Sequence, residues 1–296
     1  MRIERVGLHD LAAIGHLTFP AVQKLVRDRF ASETIAVAAY SGSDAVGLAL
    51  GVRGPHAEWE LLSVFVMDLL REQGIGGALL RRLEGEFASQ GYQTGVHFLT
   101  VDPADQRSVR FLMREGWAKP VIVKLICRST MEQAFKTPWL VRAQMPAHHR
   151  VISWSNLAAS QRDAIAAGIG NWIPRELDPF DVEADYDDST SIALVAGEES
   201  EGRVAGWVLT HRLDGSTLRW TCSFVDPAIQ GSGRILPLWL EVAQRQRELA
   251  EMENFVFTVP LTQPRMVRFA TRYMRPWLTS LAYSCMTTKR LPSPET

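Results

Sequence analysis

The sequence predicts an α/β protein with two tandem domains, each a mixed, mostly antiparallel sheet flanked by helices on both faces. The chain has 296 residues, whereas one domain takes roughly 100–200 residues. Hydrophobic residues make up 46% of the chain and charged residues 22%, so there are enough apolar side chains for packed cores. The sequence also resembles itself at a nearly constant spacing, which indicates the duplication of one domain.

The internal repeat rests on matching segments that occur in the same order in both halves. The matching pairs are VFVMDLLREQGIGG (64–77) with SFVDPAIQGSGRIL (223–236), SVRF (108–111) with MVRF (266–269), and IAVAAY (35–40) with IALVAG (192–197). Pairing Arg71 with Gln230 gives an offset of 230 − 71 = 159, and pairing Cys127 with Cys285 gives 285 − 127 = 158. Offsets that agree this closely predict a tandem duplication.

The repeat also predicts where the domains begin and end. We expect an N-terminal domain over residues 1–130, a linker over 131–150 and a C-terminal domain over 151–296. Pro138 and Pro146 lie in the linker, where they would interrupt a regular element.

The first copy is predicted to contain several strands, followed by a helix, a strand, a second helix and a last strand. Its clearest element is a helix over 75–88, because Ile75, Leu79, Leu83 and Phe87 recur at intervals of four. The remaining elements are helical segments over 9–30 interrupted near Pro20, two strands over 35–54, strands at 60–68, 95–102 and 121–128, and a helix at 107–116.

The second copy is predicted to follow the same order. Its strands are expected at 191–197, 203–212, 218–226, 254–259 and 279–289, and its helices at about 235–252 and 265–274. In both copies this arrangement places helices on the two faces of a mixed sheet.

Charge and cysteine content exclude several classes of protein. The chain has 32 Lys and Arg against 33 Asp and Glu, so it lacks the basic excess that nucleic-acid binding usually needs. Its 3 cysteines cannot form a disulfide framework in a chain of this length, which favours a reducing compartment. The sequence has no apolar signal region and no apolar run long enough to cross a bilayer. We expect a cytoplasmic protein that does not bind nucleic acid or membranes.

A glycine-rich turn follows the apolar strand of the first copy, and a helix begins directly after it. The first N–H groups of a helix have no intrahelical acceptor and lie at the positive end of the helix dipole, so they can bind an anion. Glycine allows a phosphate to approach the main chain closely. The turn matches neither the Walker loop nor the dinucleotide fingerprint. A tight connection with no ligand remains the alternative interpretation.

The pattern Arg71-x-x-Gly74-x-Gly76, in this order of elements, resembles the GNAT superfamily of N-acetyltransferases in a tandem arrangement. The resemblance covers both halves of the chain and implies that the turn holds the pyrophosphate of coenzyme A. It implies that Phe65, Val66 and Met67 bind the pantetheine arm through their main chain. It also implies that Arg71 is the first residue of the loop and that the amides from Gln73 to Ala78 bind the pyrophosphate. The implied contacts in the first copy are therefore Phe65, Val66, Met67, Arg71, Glu72, Gln73, Gly74, Ile75, Gly76, Gly77 and Ala78.

The second copy carries a related but degenerate turn. The residues that would contact a second coenzyme A are Gln230, Gly231, Ser232, Gly233 and Arg234. Ile235 occupies the position where the family has Gly or Ala, and Pro237 falls in the first turn of the following helix, where its missing N–H costs little. The second copy therefore either holds a second cofactor site or forms a wall of the substrate site.

The resemblance implies a general base early on the strand before the turn, and Glu60 lies at that position. A carboxylate among apolar neighbours has a raised pKa that suits a base near neutral pH. The alternative is a solvated glutamate with no role, and the second copy has Arg219 at the matching position. The family's tyrosine acid is missing, because Leu112 and Ala270 occupy its positions. We expect no metal.

These observations predict an acyl-CoA-dependent, most simply acetyl-CoA-dependent, N-acyltransferase that acts on a small amine, working as a monomeric pseudo-dimer or a homodimer. The alternatives are a non-catalytic acyl-CoA-binding sensor or scaffold, and an O-acyltransferase. The sequence does not identify the acyl acceptor.

Overall fold

The computed structural model describes residues 1–7, 9–28, 32–101, 106–145, 147–197, 202–229 and 235–292. The strands are β1 (Arg2–Val6), β2 (Thr34–Ser41), β3 (Asp44–Arg53), β4 (Glu58–Val66), β5 (Thr94–Val101), β6 (Val121–Thr130), β7 (His149–Ser153), β8 (Ile192–Ala196), β9 (Arg203–Arg212), β10 (Thr217–Val225), β11 (Asn254–Pro260) and β12 (Ser280–Arg290). The α-helices are α1 (Leu11–Ile14), α2 (Pro20–Asp28), α3 (Ile75–Ala88), α4 (Arg107–Arg114), α5 (Met131–Lys136), α6 (Pro138–Val141), α7 (Ala159–Gly168), α8 (Ile235–Glu248) and α9 (Pro264–Phe269).

The chain folds into two compact units whose limits differ from the predicted domain boundaries. The first unit consists of Met1–Val123 together with Tyr283–Thr296, and the second of Lys124–Ala282. The predicted linker contains α5, α6 and the start of β7 rather than an irregular segment. Each unit takes its closing strand from the other half of the repeat. The predicted boundaries followed the order of the two copies in the sequence. They differ from the structure because position along the chain does not determine which sheet a closing strand joins.

The first unit contains a sheet in the order β1-β2-β3-β4-β5-β12. Neighbouring strands run antiparallel, except that β4 and β5 run parallel. The last strand, β12, pairs with β5 from Tyr283↔Val101 to Arg290↔Thr94. Helices cover both faces: Leu79 and Phe87 of α3 pack on one face, and α1 and α2 pack with Leu48 and Leu50 on the other.

The second unit contains a sheet in the order β6-β11-β10-β9-β8-β7, with a single parallel pair among the pairs recorded, β10 with β11. Leu238 and Val242 of α8 pack on one face, and Ile165 of α7 packs on the other. The predicted mixed, mostly antiparallel sheets with helices on both faces are therefore confirmed in both units.

The duplication is visible in irregular details of the two sheets. In the first unit the β3–β4 register shifts between Leu50↔Ser63 and Gly51↔Leu61, which leaves one extra residue, Leu62, on β4. The second unit has the same bulge on β10, between Leu209↔Cys222 and Thr210↔Trp220. A β-bulge is a specific local feature, so its recurrence at a constant offset of 222 − 63 = 159 supports the repeat read from the sequence.

A glycine that lies close to a carbonyl oxygen of the neighbouring strand also occurs in both copies. A Cβ on Gly47 would lie 3.0 Å from the Phe65 carbonyl oxygen, and a Cβ on Gly206 would lie 2.7 Å from the Phe224 carbonyl oxygen. Each glycine allows its strand to approach closely to the neighbouring strand, which is the strand that carries the bulge.

We expect Gly206→Ala to lower the free energy of unfolding by about 1–3 kcal/mol, because the added methyl overlaps a backbone oxygen that cannot turn away. Urea denaturation followed by tryptophan fluorescence measures this change. Gly215→Ala is the matched control, since a Cβ there meets nothing within 4 Å. Equal unfolding midpoints for the two variants would contradict the close approach.

Candidate functional site

The two parallel strands of the first unit separate soon after they begin to pair. β4 and β5 are paired at Glu58↔Thr94, Trp59↔Gly95 and Glu60↔Val96. Beyond these three pairs both strands continue, β4 to Val66 and β5 to Val101. We call the gap between β4 beyond Glu60 and β5 beyond Val96 the fork. Within the described parts of the chain, no strand pairs with the main-chain edge of β4 that faces the fork, so this edge can bind an extended ligand.

The predicted glycine-rich turn connects the end of β4 to α3. A short 3-10 helix spans Asp68–Leu70, and α3 begins at Ile75 as the sequence predicts. Glu72 and Gly74 both have positive φ angles, 64° and 81°. Gly74 is the residue before the helix, and only glycine adopts this left-handed conformation without strain.

The turn presents a run of unpaired main-chain donors. Among the residues that the structure describes, the N–H groups from Glu72 to Gly77 donate to no acceptor, and Gly74 supplies no side-chain cap to the helix. They lie at the positive end of the α3 dipole, which favours an anion. The expected role of the Ala78 amide is wrong, since this N–H donates to the Gly74 carbonyl at 3.1 Å as the first hydrogen bond of the helix.

Arg71 links the end of β4 to the turn through its side chain. Its Nε donates to the Val66 carbonyl at 3.0 Å, its Nη2 lies 2.6 Å from the Asp68 carboxylate, and the guanidinium lies over the Phe65 ring at 5.7 Å. Arg71 therefore holds the end of β4 and the start of the turn together.

Two of the main-chain groups expected to hold the pantetheine arm are already engaged. The Met67 N–H donates to the Val46 carbonyl at 3.0 Å, so the expectation for that donor is wrong. The Val66 carbonyl accepts the Arg71 hydrogen bond and keeps one lone pair for a ligand. The β3–β4 ladder extends one residue past β4, which is why the Met67 donor is lost.

α4 packs directly against the first turn of α3. A Cβ on Gly76 would contact the Phe111 ring at 3.4 Å, so a methyl group fits there but a long side chain would meet α4. A Cβ on Gly77 would overlap the Glu115 carboxylate, which forms an ion pair with Arg81 at 2.5 Å. Because Arg81 balances the Glu115 charge, this carboxylate is compatible with an anion at the turn.

A buried ion pair ties the last strand to α3. The Lys289 Nζ lies 2.7 Å from Glu84 Oε2 and also donates to the Glu115 carbonyl, and the Trp117 indole donates to Glu84 Oε1 at 3.0 Å. Burial raises the pKa of the Glu84 carboxyl, although Lys289 and Trp117 oppose this effect.

Glu60, the predicted base, lies at the last paired position of β4. It is half-buried and lies opposite Val52 on β3 and Val96 on β5. Its neighbours Trp59 and Leu61 pack against the α3 face, and successive strand residues point to opposite faces. Glu60 therefore lies on the α1–α2 face beside the fork. The tyrosine position holds Leu112, whose side chain is buried in the core, and Ala270 is likewise buried.

His97 of β5 lies at the start of the fork and is not among the site residues predicted from the sequence. Its Nδ1 lies 2.6 Å from the Leu61 carbonyl, and its ring lies 6.5 Å from the Trp117 ring. Burial lowers the pKa of His97, and the hydrogen bond to Leu61 partly opposes this shift. The signal available in the sequence was one ionisable residue within an otherwise apolar strand.

The second unit has its own separating strands. β10 and β11 pair over Thr217–Arg219 and Asn254–Val256, as β4 and β5 do. Here the Trp239 indole contacts both strands, since it donates to Ser223 Oγ at 3.2 Å and lies 6.2 Å from the Phe257 ring. The predicted second cofactor loop, Gln230, Gly231, Ser232, Gly233 and Arg234, lies outside the described residues.

Cysteines and metal ligands add nothing to this site. The three cysteines are free and buried, and burial raises the pKa of Cys127 to about 12 and that of Cys222 to about 11. Within the described ranges no cluster of His, Cys, Asp and Glu could hold a metal ion. None of the described helices has the length and apolar character needed to cross a membrane.

Comparisons with known proteins agree with this geometry. Residues 12–117 match the model of the Acetyltransferase (GNAT) family. The chain is similar to a tandem GNAT protein from the clavulanic acid biosynthesis pathway, with a TM-score of 0.72, 13% identity and 100% of both chains covered. No curated protein sequence matches the chain.

Two other solved structures are similar over almost the whole chain. A GCN5-related N-acetyltransferase from Sphaerobacter thermophilus gives a TM-score of 0.68 at 15% identity, covering 99% of this chain and 98% of that one. A probable N-acyltransferase from Enterococcus faecalis V583 gives 0.55 at 12% identity, covering 99% and 72%. The fold of the chain is therefore similar to that of tandem GNAT proteins over almost its whole length, and residues 12–117 match the model of the family's acetyltransferase domain.

Proposed function

We propose that the protein is an acyl-CoA-dependent N-acyltransferase that uses acetyl-CoA as donor and acylates a small amine. The acyl-CoA binds in the first unit, with its diphosphate at the turn before α3 and its pantetheine arm in the fork. The three free, buried cysteines support the cytoplasm as the compartment of this reaction.

The run of unpaired amides from Glu72 to Gly77, directly beside the fork, carries this proposal. Hydrogen bonds to a charged group are typically worth about 1.5–3 kcal/mol each, so several of them acting together can anchor a diphosphate.

The fork accounts for the next part of the substrate. Beyond Glu60 the β4 edge offers the second lone pair of the Val66 carbonyl to an amide of an extended pantetheine arm, whereas the main chain of Phe65 is directed toward β3. An arm that runs from the turn toward Glu60 brings its thioester to the point where β4 and β5 part.

Acyl transfer also requires a neutral amine, and Glu60 is the proposed group that removes its first proton. Free amines have pKa values near 10, so a protonated substrate must lose a proton before it attacks. Glu60 lies on the α1–α2 face, and an acceptor that enters from this face meets the carboxylate before it reaches the thioester. Arg219 at the matching position of the second unit cannot do this, which supports a single catalytic centre in the first unit.

Turnover measurements test the proposed activity. Acetyl-CoA is mixed with a panel of small amines and alcohols, and the released thiol is measured together with the mass of the product. Thiol release that depends on an amine supports the proposal. Release that depends on an alcohol favours O-acylation, and acetyl-CoA binding without release from any acceptor favours a non-catalytic sensor.

We expect Gly76→Glu to weaken acetyl-CoA binding at least about 10-fold, because the added carboxylate fills and repels the diphosphate site. Isothermal titration calorimetry measures the affinity. Gly85→Glu is the matched control, since it adds the same charge to the same helix at an exposed position with nothing within 4 Å of a Cβ. Gly76→Ala tests size without charge and should retain binding. Unchanged affinity in a folded Gly76→Glu variant would place the cofactor elsewhere.

We expect Glu60→Gln to lower kcat by about 10²-fold or more while acetyl-CoA affinity stays within about 3-fold of wild type, because only proton transfer is removed. Steady-state kinetics and calorimetry separate the two effects. Glu58→Gln, an exposed glutamate on the same strand, is the control. A Glu60→Gln variant with normal kcat would remove Glu60 from the mechanism.

A further inference from the structure

The usual tyrosine acid is absent, so the chain needs another group to move the last proton in the reaction. An ammonium substrate carries three protons on nitrogen, and the amide product carries one. Glu60 accounts for the first of the two protons lost. The second leaves nitrogen after attack, and the departing thiolate needs one proton. Nitrogen and sulfur are bonded to the same carbon in the tetrahedral intermediate, so one group can serve both atoms.

We infer that His97 is this group: its Nε2 accepts the second proton from the attacking nitrogen and returns it to the leaving sulfur. In this step the C–N bond is already formed, the C–S bond breaks with its electron pair on sulfur, and the proton passes from nitrogen through Nε2 to sulfur. The inference rests on the proposed acyltransferase function and assigns a residue to one of its steps.

The hydrogen bond of His97 fixes which nitrogen can act. A carbonyl oxygen only accepts hydrogen bonds, so the 2.6 Å contact with Leu61 places the ring proton on Nδ1. Nε2 then carries the lone pair of the neutral imidazole. Among the described residues Nε2 has no hydrogen-bond partner. His97 is thus a base held in one tautomer and orientation.

The position of His97 matches the expected place of the thioester. β4 and β5 are last paired at Glu60↔Val96, and His97 is the next residue on β5. Its partner Leu61 immediately precedes the bulged residue Leu62. The imidazole therefore lies where the strands part, across the β4 backbone from the Glu60 carboxylate.

Most of the charged groups around His97 are paired with one another. On its own face of the sheet, Lys289 of β12 and Glu84 of α3 neutralise each other, Glu115 pairs with Arg81, and Cys285 is a buried thiol. Glu60 and Glu58 of β4 lie at neighbouring register positions. Burial lowers the pKa of His97, which favours the neutral imidazole whose Nε2 can accept a proton.

The second unit provides a natural comparison. The matched registers of the two forks place Phe257 at the position of His97, and Arg219 at the position of Glu60. Both ionisable groups are thus present in the unit that carries the free amides and absent from the other. This agrees with a pair of residues that act in one reaction.

His97→Asn tests the inference, because the asparagine amide can still donate to the Leu61 carbonyl but cannot accept a proton in place of Nε2. We expect kcat to fall by about 10²-fold or more, with acetyl-CoA affinity by calorimetry within about 3-fold of wild type. In wild type kcat should fall as pH drops through the pKa of His97, which burial lowers from its ordinary value, because protonation removes the lone pair. His97→Asn should lack this dependence.

His56→Asn is the control for a histidine change away from the site; His56 is exposed and has a positive φ of 55°, which asparagine tolerates. A His97→Asn variant with wild-type kcat and the same pH profile overturns the role of His97. So does a His97→Asn variant that loses acetyl-CoA affinity in parallel with kcat, because that result indicates a structural role. A wild-type protein that binds acetyl-CoA and acylates no acceptor overturns the proposed function as well.

Discussion

The early separation of β4 from β5 is the constraint on which the rest of the first unit depends. The two strands share three residue pairs and then diverge, so a stretch of β4 main chain remains without a neighbouring strand in the middle of a sheet. The hydrogen bond from His97 to the Leu61 carbonyl links β5 to β4 at the point where the two strands separate. The bulge at Leu62 follows directly after Leu61 on β4. The open edge then leads to the turn before α3, where main-chain N–H groups are again unpaired.

The two units show which features of the duplicated domain concern folding and which concern chemistry. The β-bulge occurs in both units, and so does the glycine that lies close to a carbonyl oxygen of the bulged strand, Gly47 in the first unit and Gly206 in the second. Features that recur in this way are needed by the fold. The ionisable groups at the fork do not recur, and Trp239 contacts both separating strands in the second unit. A copy that keeps the scaffold but has Arg219 and Phe257 in place of Glu60 and His97 fits a division of work in which the first unit carries the reaction.

Much of the fold could be read from the sequence, because strong local patterns determined it. The apolar period predicted α3 over Ile75–Ala88, and the repeat predicted the second set of strands. The missing parts depend on long-range pairing: β1 is short and charged, and no local signal shows which sheet receives β12. The turn before α3 was identified through its glycines, whereas His97 was missed because its importance comes from Leu61, a residue 36 positions away in the chain.

A crystal structure of the protein with acetyl-CoA tests the central claim most directly. We predict that the diphosphate oxygens lie within about 3.2 Å of the backbone nitrogens between Glu72 and Gly77, with the pantetheine arm along β4 in the fork and the thioester near Leu62. A cofactor bound only at the second unit, or a diphosphate held by side chains away from this turn, would contradict the account.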